Sequence, residues 1–130
     1  MNVLFIEDDA MNRRVVKDLL NVAGATMVEA EGAEQGLTIL DHQDFAILLI
    51  GLRMPGVDGL TAIKFIRARC DAKAAVPIIV VTADFAPTLR ERCLAAGADD
   101  VIFKPVAMDA LFKAVGTALA KHHPNEIIIP

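Results

Sequence analysis

A chain of 130 residues is the size of one domain. Hydrophobic residues make up 55% of it and Trp and Tyr are absent, so the core must be aliphatic with a few Phe. A net charge of −4 and a pI near 5.3 exclude the basic face that direct nucleic-acid binding needs, and leave proteins and small cations as partners. The N-terminal run Val3-Leu4-Phe5-Ile6 is too short for a signal peptide and meets Glu7, Asp8 and Asp9 at once, and no apolar run approaches a membrane span. A soluble, cytoplasmic protein with no membrane contact is expected. Cys70 and Cys93 lack metal-ligand spacing and read as reduced packing thiols in or at the end of helices.

Strand and helix signals alternate along the chain. Val3–Ile6 is a short buried strand. Ala10–Ala23 carries Met11, Val15, Leu19 and Val22 near helical spacing, with Gly24 as its stop. Thr26–Ala30 is a weaker strand and Ala33–Leu40 a short helix with Leu37 and Leu40 inward. Phe45–Ile50 is apolar throughout, which predicts a strand covered on both faces. Leu60–Arg69 is a helix with Leu60, Ile63 and Ile66 in its inward row. Pro77 opens a fourth strand, Ile78–Thr82. Pro87 is expected in the first turn of a helix that runs to about Ala96 and ends at Gly97. Asp100–Phe103 is the fifth strand and Val106–Ala120 the last helix, with Leu111, Phe112, Val115 and Leu119 on one side. Five β–α repeats joined by short connections predict an α/β fold: a doubly wound, flavodoxin-like (βα)5 architecture with a five-stranded parallel sheet and helices on both faces.

Sites in such a sheet form at the carboxyl ends of the strands. Here those ends read Glu7-Asp8-Asp9, then Gly51, then Thr82-Ala83, then Lys104-Pro105. Taken alone, the acidic run reads better as a helix N-cap, Thr82 as an ordinary strand end and Lys104 as a solvated lysine. Together, and with Leu52-Arg53-Met54-Pro55-Gly56 after Gly51, they resemble the receiver domains of response regulators over roughly residues 2 to 120. In that family a phosphoacceptor aspartate stands three residues before the Met-Pro pair, and that position is Gly51.

The resemblance implies a division of labour. Asp8 would bind Mg²⁺ directly, Glu7 through water, and the Arg53 backbone carbonyl would be a further ligand. Thr82, Ala83 and Lys104 would form the phosphate pocket. Clustered carboxylates suit a hard cation, and phosphoryl transfer needs such a cation with fixed donors around it. Gly51 removes the nucleophile and one metal ligand, so weak Mg²⁺ binding and no phosphate acceptance are expected. Val101 occupies the place, three before the lysine, where many family members carry an aromatic switch residue.

The leading expectation is a non-enzymatic, single-domain receiver of a two-component or phosphorelay system. It would dock a histidine kinase or a histidine phosphotransfer protein without accepting phosphate. An ordinary receiver carrying a Gly substitution is the alternative, since one base separates the Asp and Gly codons. A flavodoxin-like cofactor binder is disfavoured, because Glu7-Asp8-Asp9 would repel a phosphate where a Ser/Thr/Gly-rich loop is needed. Met1 directly before the first strand favours a stand-alone chain over a receiver excised from a hybrid kinase. The expected units are a receiver at 1–121 and a tail at 122–130. In that tail the run Ile127-Ile128-Ile129 favours an extended segment packed on a hydrophobic surface, more readily a neighbour's than its own, giving a homodimer.

Overall fold

The computed structural model describes residues 1–122, so the tail segment expected to pack on a neighbour lies outside the described residues. In chain order the elements are β1 (Asn2–Ile6), α1 (Ala10–Val22), β2 (Thr26–Ala30), α2 (Ala33–His42), β3 (Ile47–Ile50), α3 (Gly59–Arg67), β4 (Ile78–Thr82), α4 (Leu89–Ala96), β5 (Asp100–Phe103) and α5 (Met108–His122), with a 3₁₀ turn at Ala72–Ala75. All strand pairs are parallel and the sheet order is β2-β1-β3-β4-β5. The predicted (βα)5 doubly wound architecture is therefore the observed one.

Alternation along each strand divides the core in two. Leu4, Ile6, Leu48, Ile50, Ile78 and Val80 face one side, where they meet Leu40 of α2, Ala62, Ile63 and Ile66 of α3, and Cys93 of α4. Val3, Phe5, Ile47, Leu49, Ile79 and Val81 face the other, against Val16 and Leu20 of α1 and Leu111 and Val115 of α5. Both faces are covered, which is why the central strands are continuous apolar runs. The chain winds outward in opposite directions from β1 and β3, so the crevice at their carboxyl ends is the topological switch point.

Several details differ from the sequence reading. α1 buries Arg13, Val16 and Leu20, whereas Met11 and Val22 are each 69% exposed. The inward stripe is rotated because Arg13 points in, where its Nη1 donates to the Glu7 carbonyl oxygen at 2.7 Å and its Nε to Glu29 at 3.1 Å. β3 starts at Ile47, where its ladder with β1 begins, and leaves Phe45 and Ala46 half-buried outside it. α3 ends at Arg67, so Cys70 lies beyond the helix, exposed, and packs no core; Cys93 is the buried thiol. Leu60 is only partly buried, because Gly59 and Ala62 take the closest positions against the sheet. Pro87 sits in the turn before α4 rather than inside it, since Asp84 accepts from the Ala86 N–H at 2.9 Å and the chain turns there before Leu89 starts the helix.

Candidate functional site

The loop from Gly51 to α3 is folded tightly on itself. Asp58 caps α3 by accepting from the Thr61 N–H at 2.8 Å, and the Gly59 N–H donates to the Leu52 carbonyl at 2.9 Å. A Cβ at Gly59 would stand 2.2 Å from the Gly51 carbonyl oxygen, so only glycine lets α3 begin that close to the end of β3. Gly51 itself is anchored by its N–H to the Ile6 carbonyl at 2.9 Å.

Thr82, Ala83 and Lys104 come together as expected, at the ends of β4 and β5. With Leu52, Arg53, Val81, Asp84 and Phe85 they line an open cavity of about 300 Å³. The Lys104 N–H donates to the Thr82 carbonyl at 2.8 Å, which ties the two strand ends. The Thr82 side chain is nearly buried, and its hydroxyl oxygen accepts from the Asp84 N–H at 3.0 Å. Arg53 is almost fully exposed and its guanidinium reaches Asp84 across the mouth at 3.5 Å. Asp8 is exposed, and Asp9 serves as the N-cap of α1, accepting from the Met11 N–H at 2.8 Å.

Glu7 is turned inward, towards Lys104. Its side chain is 1% exposed and one carboxylate oxygen lies directly against the Lys104 ammonium. The contact is close but poorly aligned as a hydrogen bond, so Oε1 is held by charge rather than by a directed donor. Its other oxygen is the nearest neighbour that a side chain at 51 would meet: a Cβ built there falls 2.7 Å from Glu7 Oε2. Burial pushes the Glu7 carboxyl above its ordinary range, Lys104 pulls it back, and the adjacent Asp8 raises it again, with a net upward result.

Three features escaped the sequence reading. Arg13 was unmarked because a buried arginine on an apolar helix face has no local signature. The direct Glu7–Lys104 pair depends on the side-chain direction of Glu7. Phe85, which lines the cavity, stacks on Phe103 with centroids 4.9 Å apart and an interplanar angle of 16°. Their flanking of Thr82 and Lys104 in the sequence was the available clue. Val101, by contrast, is buried at 5% exposure and offers no ring to move.

The model of the response regulator receiver domain matches residues 3–116, and the chain belongs to that family. It is a receiver domain of the kind used in two-component and phosphorelay systems. It is 36% identical over 117 residues to the sensor histidine kinase AruS of Pseudomonas aeruginosa, covering 89% of this chain and 12% of that protein. It thus spans a small fraction of that relative's length. Among solved structures, the receiver domain of a sensor histidine kinase from Pseudomonas aeruginosa PAO1, with magnesium coordinated in its active-site cleft, is 28% identical with a TM-score of 0.83, covering 92% of this chain and 97% of that one. A response regulator receiver protein from Pseudomonas putida is 32% identical with a TM-score of 0.80, over 89% of this chain and 95% of that one. No helix of the described residues is long and apolar enough to cross a membrane.

The family implies a divalent cation, and the side chains present do not make a tight site for one. Among the described residues no group of three or more His, Cys, Asp or Glu is placed to hold a metal ion. Glu7 is committed to Lys104, Gly51 brings no oxygen from a side chain, and Asp8 is the exposed carboxylate that remains at the end of β1.

Proposed function

We propose that this chain is a receiver that cannot be phosphorylated at its usual position and acts by docking a histidine kinase or a histidine phosphotransfer protein. The observation that carries the reading is Gly51. It stands at the carboxyl end of β3, where the resemblance puts the acceptor, and offers no nucleophile to a phosphoryl donor. The reading is supported by Thr82, Ala83 and Lys104, which line one cavity next to it with Leu52 and Arg53. Glu7 is no ready substitute, being buried and occupied by Lys104. The chain is a binding module and not an enzyme. Its unit is the expected 1–121 extended by His122, the last residue of α5, it works in the cytoplasm, and it holds Mg²⁺ weakly through Asp8 and the Arg53 carbonyl.

A second reading, an ordinary phosphoaccepting receiver that carries a glycine substitution, is favoured by those same intact residues. A flavodoxin-like cofactor role is disfavoured by the Glu7–Asp8 charge at the end of β1, and an absorbance spectrum free of bound flavin would agree.

The direct test is incubation with acetyl phosphate and Mg²⁺ followed by intact mass. An unchanged mass is expected, and the Gly51→Asp variant should gain one phosphoryl group. A stable adduct on the parent chain would overturn the reading, and peptide mapping would then name Asp8, Asp9 or Glu7 as the acceptor.

A further inference from the structure

The Glu7 carboxylate lies where residue 51 would otherwise place its side chain, and against the ammonium that would otherwise face an acceptor or a phosphate. Two independent observations meet there. One is steric: Oε2 stands 2.7 Å, and the carboxylate carbon 3.3 Å, from a Cβ added to Gly51. The other is electrostatic: the remaining oxygen contacts Lys104, whose side chain is itself only 21% exposed. The backbone beneath holds this arrangement. Arg13 donates to the Glu7 carbonyl and the Glu7 N–H donates to the Ala30 carbonyl at 2.9 Å, so the residue is pinned on both sides of its Cα. Gly51 is not needed for its own backbone conformation, since it is absent from the positive-φ glycines. Its lack of a side chain matters for what it leaves open.

We propose that Glu7 is the resident counter-ion of this pocket: its carboxylate fills the space opened by Gly51 and neutralises Lys104, so the pocket is closed to phosphate and insensitive to it. The proposal deepens the reading of the chain as a receiver without an acceptor and rests on it for the identity of the pocket. Glycine 51 and glutamate 7 are then a matched pair. The pocket keeps one carboxylate facing Lys104, as an acceptor would supply, but this one is buried and spoken for. Lys104 and the start of α5 are held in a single arrangement, and docking of a partner becomes independent of phosphoryl donor and of metal.

Two measurements on the purified chain test this, and neither needs a partner, so a failed search for a kinase leaves both readable. The first is thermal melting of Gly51→Ala in two backgrounds. An alanine at a compatible glycine position ordinarily stabilises. Here it is expected to lower Tm slightly, by roughly 2 °C, because Cβ obliges the Glu7 carboxylate, the far end of its side chain, to shift. In the Glu7→Ala background the same change is expected to be neutral or to raise Tm. If Gly51→Ala fails to fold, its recovery by Glu7→Ala reads the same coupling. An unchanged or higher Tm for Gly51→Ala in the parent overturns the steric half.

The second is titration with inorganic phosphate, followed by amide shifts at Ala83 and Lys104. Glu7→Gln keeps the shape and removes the charge, so Lys104 is released. This variant is expected to bind phosphate at least roughly tenfold more tightly than the parent, and Glu7→Gln with Lys104→Met is expected to lose that gain. Equal phosphate affinity in parent and Glu7→Gln overturns the electrostatic half. A role for Glu7 in folding alone would move Tm but create no phosphate site.

Discussion

At the scale of single residues, charge decides the behaviour of the cluster. An aspartate introduced at 51 would meet Glu7 across a gap already too small for a Cβ, and would compete with it for Lys104. Two carboxylates held that close destabilise the fold unless a cation neutralises them. Gly51→Asp is therefore expected to be less stable than the parent in EDTA by about 1–2 kcal/mol, the equivalent of a one-unit pKa shift or slightly more. Excess Mg²⁺ should reverse the order, because the cation binds only the folded variant and stabilises by mass action. Titration should also give that variant the tighter Mg²⁺ site. Melts that rank the variant above the parent without metal would show that the entropic cost of glycine, up to about 1 kcal/mol, outweighs the charge. The participants in this contest were legible in the sequence: Glu7, Gly51, Thr82 and Lys104 all end strands, and strand ends follow from apolar runs. Their direct contact was not legible. Whether a carboxylate turns to water, to metal or to a lysine depends on a side-chain rotamer, and on a void that exists only once β1 and β3 are side by side.

At the scale of elements, α1 carries the clearest departure from pattern. Apolar residues near helical spacing suggested one face, and the structure buries another, Arg13, Val16 and Leu20. The competing term is a hydrogen bond: the Glu7 carbonyl is buried against α1 and Arg13 is its donor at 2.7 Å. Burying a polar group without a partner costs more than burying one fewer methyl group gains. Arg13→Ala should therefore cost roughly 2–3 kcal/mol by chemical denaturation, since it orphans that carbonyl and releases Glu29. Leu20→Ala, at 1% exposure, should cost about 2–5 kcal/mol as a core truncation. Met11→Gln and Val22→Gln should each change stability by less than about 0.5 kcal/mol, being surface substitutions. A large loss from either glutamine variant would mean that the sequence pattern, not the rotated stripe, describes the buried face. In α2 and α5 the expected rows were right in part: Leu40, Leu111 and Val115 are buried, but Gly36, Ala114 and Ala118 take the close positions and leave Leu37, Phe112 and Leu119 partly buried. Helix ends shifted by a residue or two, as at α3, where the chain stops being helical at Arg67 so that this side chain can reach other elements.

At the scale of the whole molecule, the end of the sheet opposite the pocket is held by one carboxylate. Asp99, with a side chain 7% exposed, accepts from the Ile78 N–H at 2.8 Å and from Arg67 at 3.2 Å on one oxygen, and lies 3.2 Å from Lys121 and 2.8 Å from His122 Nε2 on the other. Arg67 also donates to the carbonyls of Gly97, Ala74 and Val76. One network thus joins α3, the 3₁₀ turn, β4, the turn before β5 and the last turn of α5. Burial pushes the Asp99 carboxyl up, but its bonds to His122, the Ile78 N–H and Lys121 outweigh that and hold it below the ordinary value of 3.8. A carboxyl with a lowered folded pKa contributes stability that is fully present above 3.8 and is lost as pH falls through the lower folded value. Glu7 has the opposite sign: its raised folded pKa is a cost at neutral pH, and that cost is relieved as pH falls through the raised value towards 4.5. Denaturant melts should therefore show Asp99→Asn weaker than the parent by about 2–4 kcal/mol at neutral pH, as expected for breaking a buried charge network. That gap should narrow only below pH 3.8. Glu7→Gln should lessen the parent's change in stability between neutral pH and about 4.5. A gap for Asp99→Asn that is constant down to strong acid would mean the network acts through geometry alone. The two carboxylates stand at opposite ends of the same sheet with no shared partner, so their effects should add to within roughly 0.5 kcal/mol in the double variant. A larger coupling would mean that the pocket and the far end of the sheet respond together.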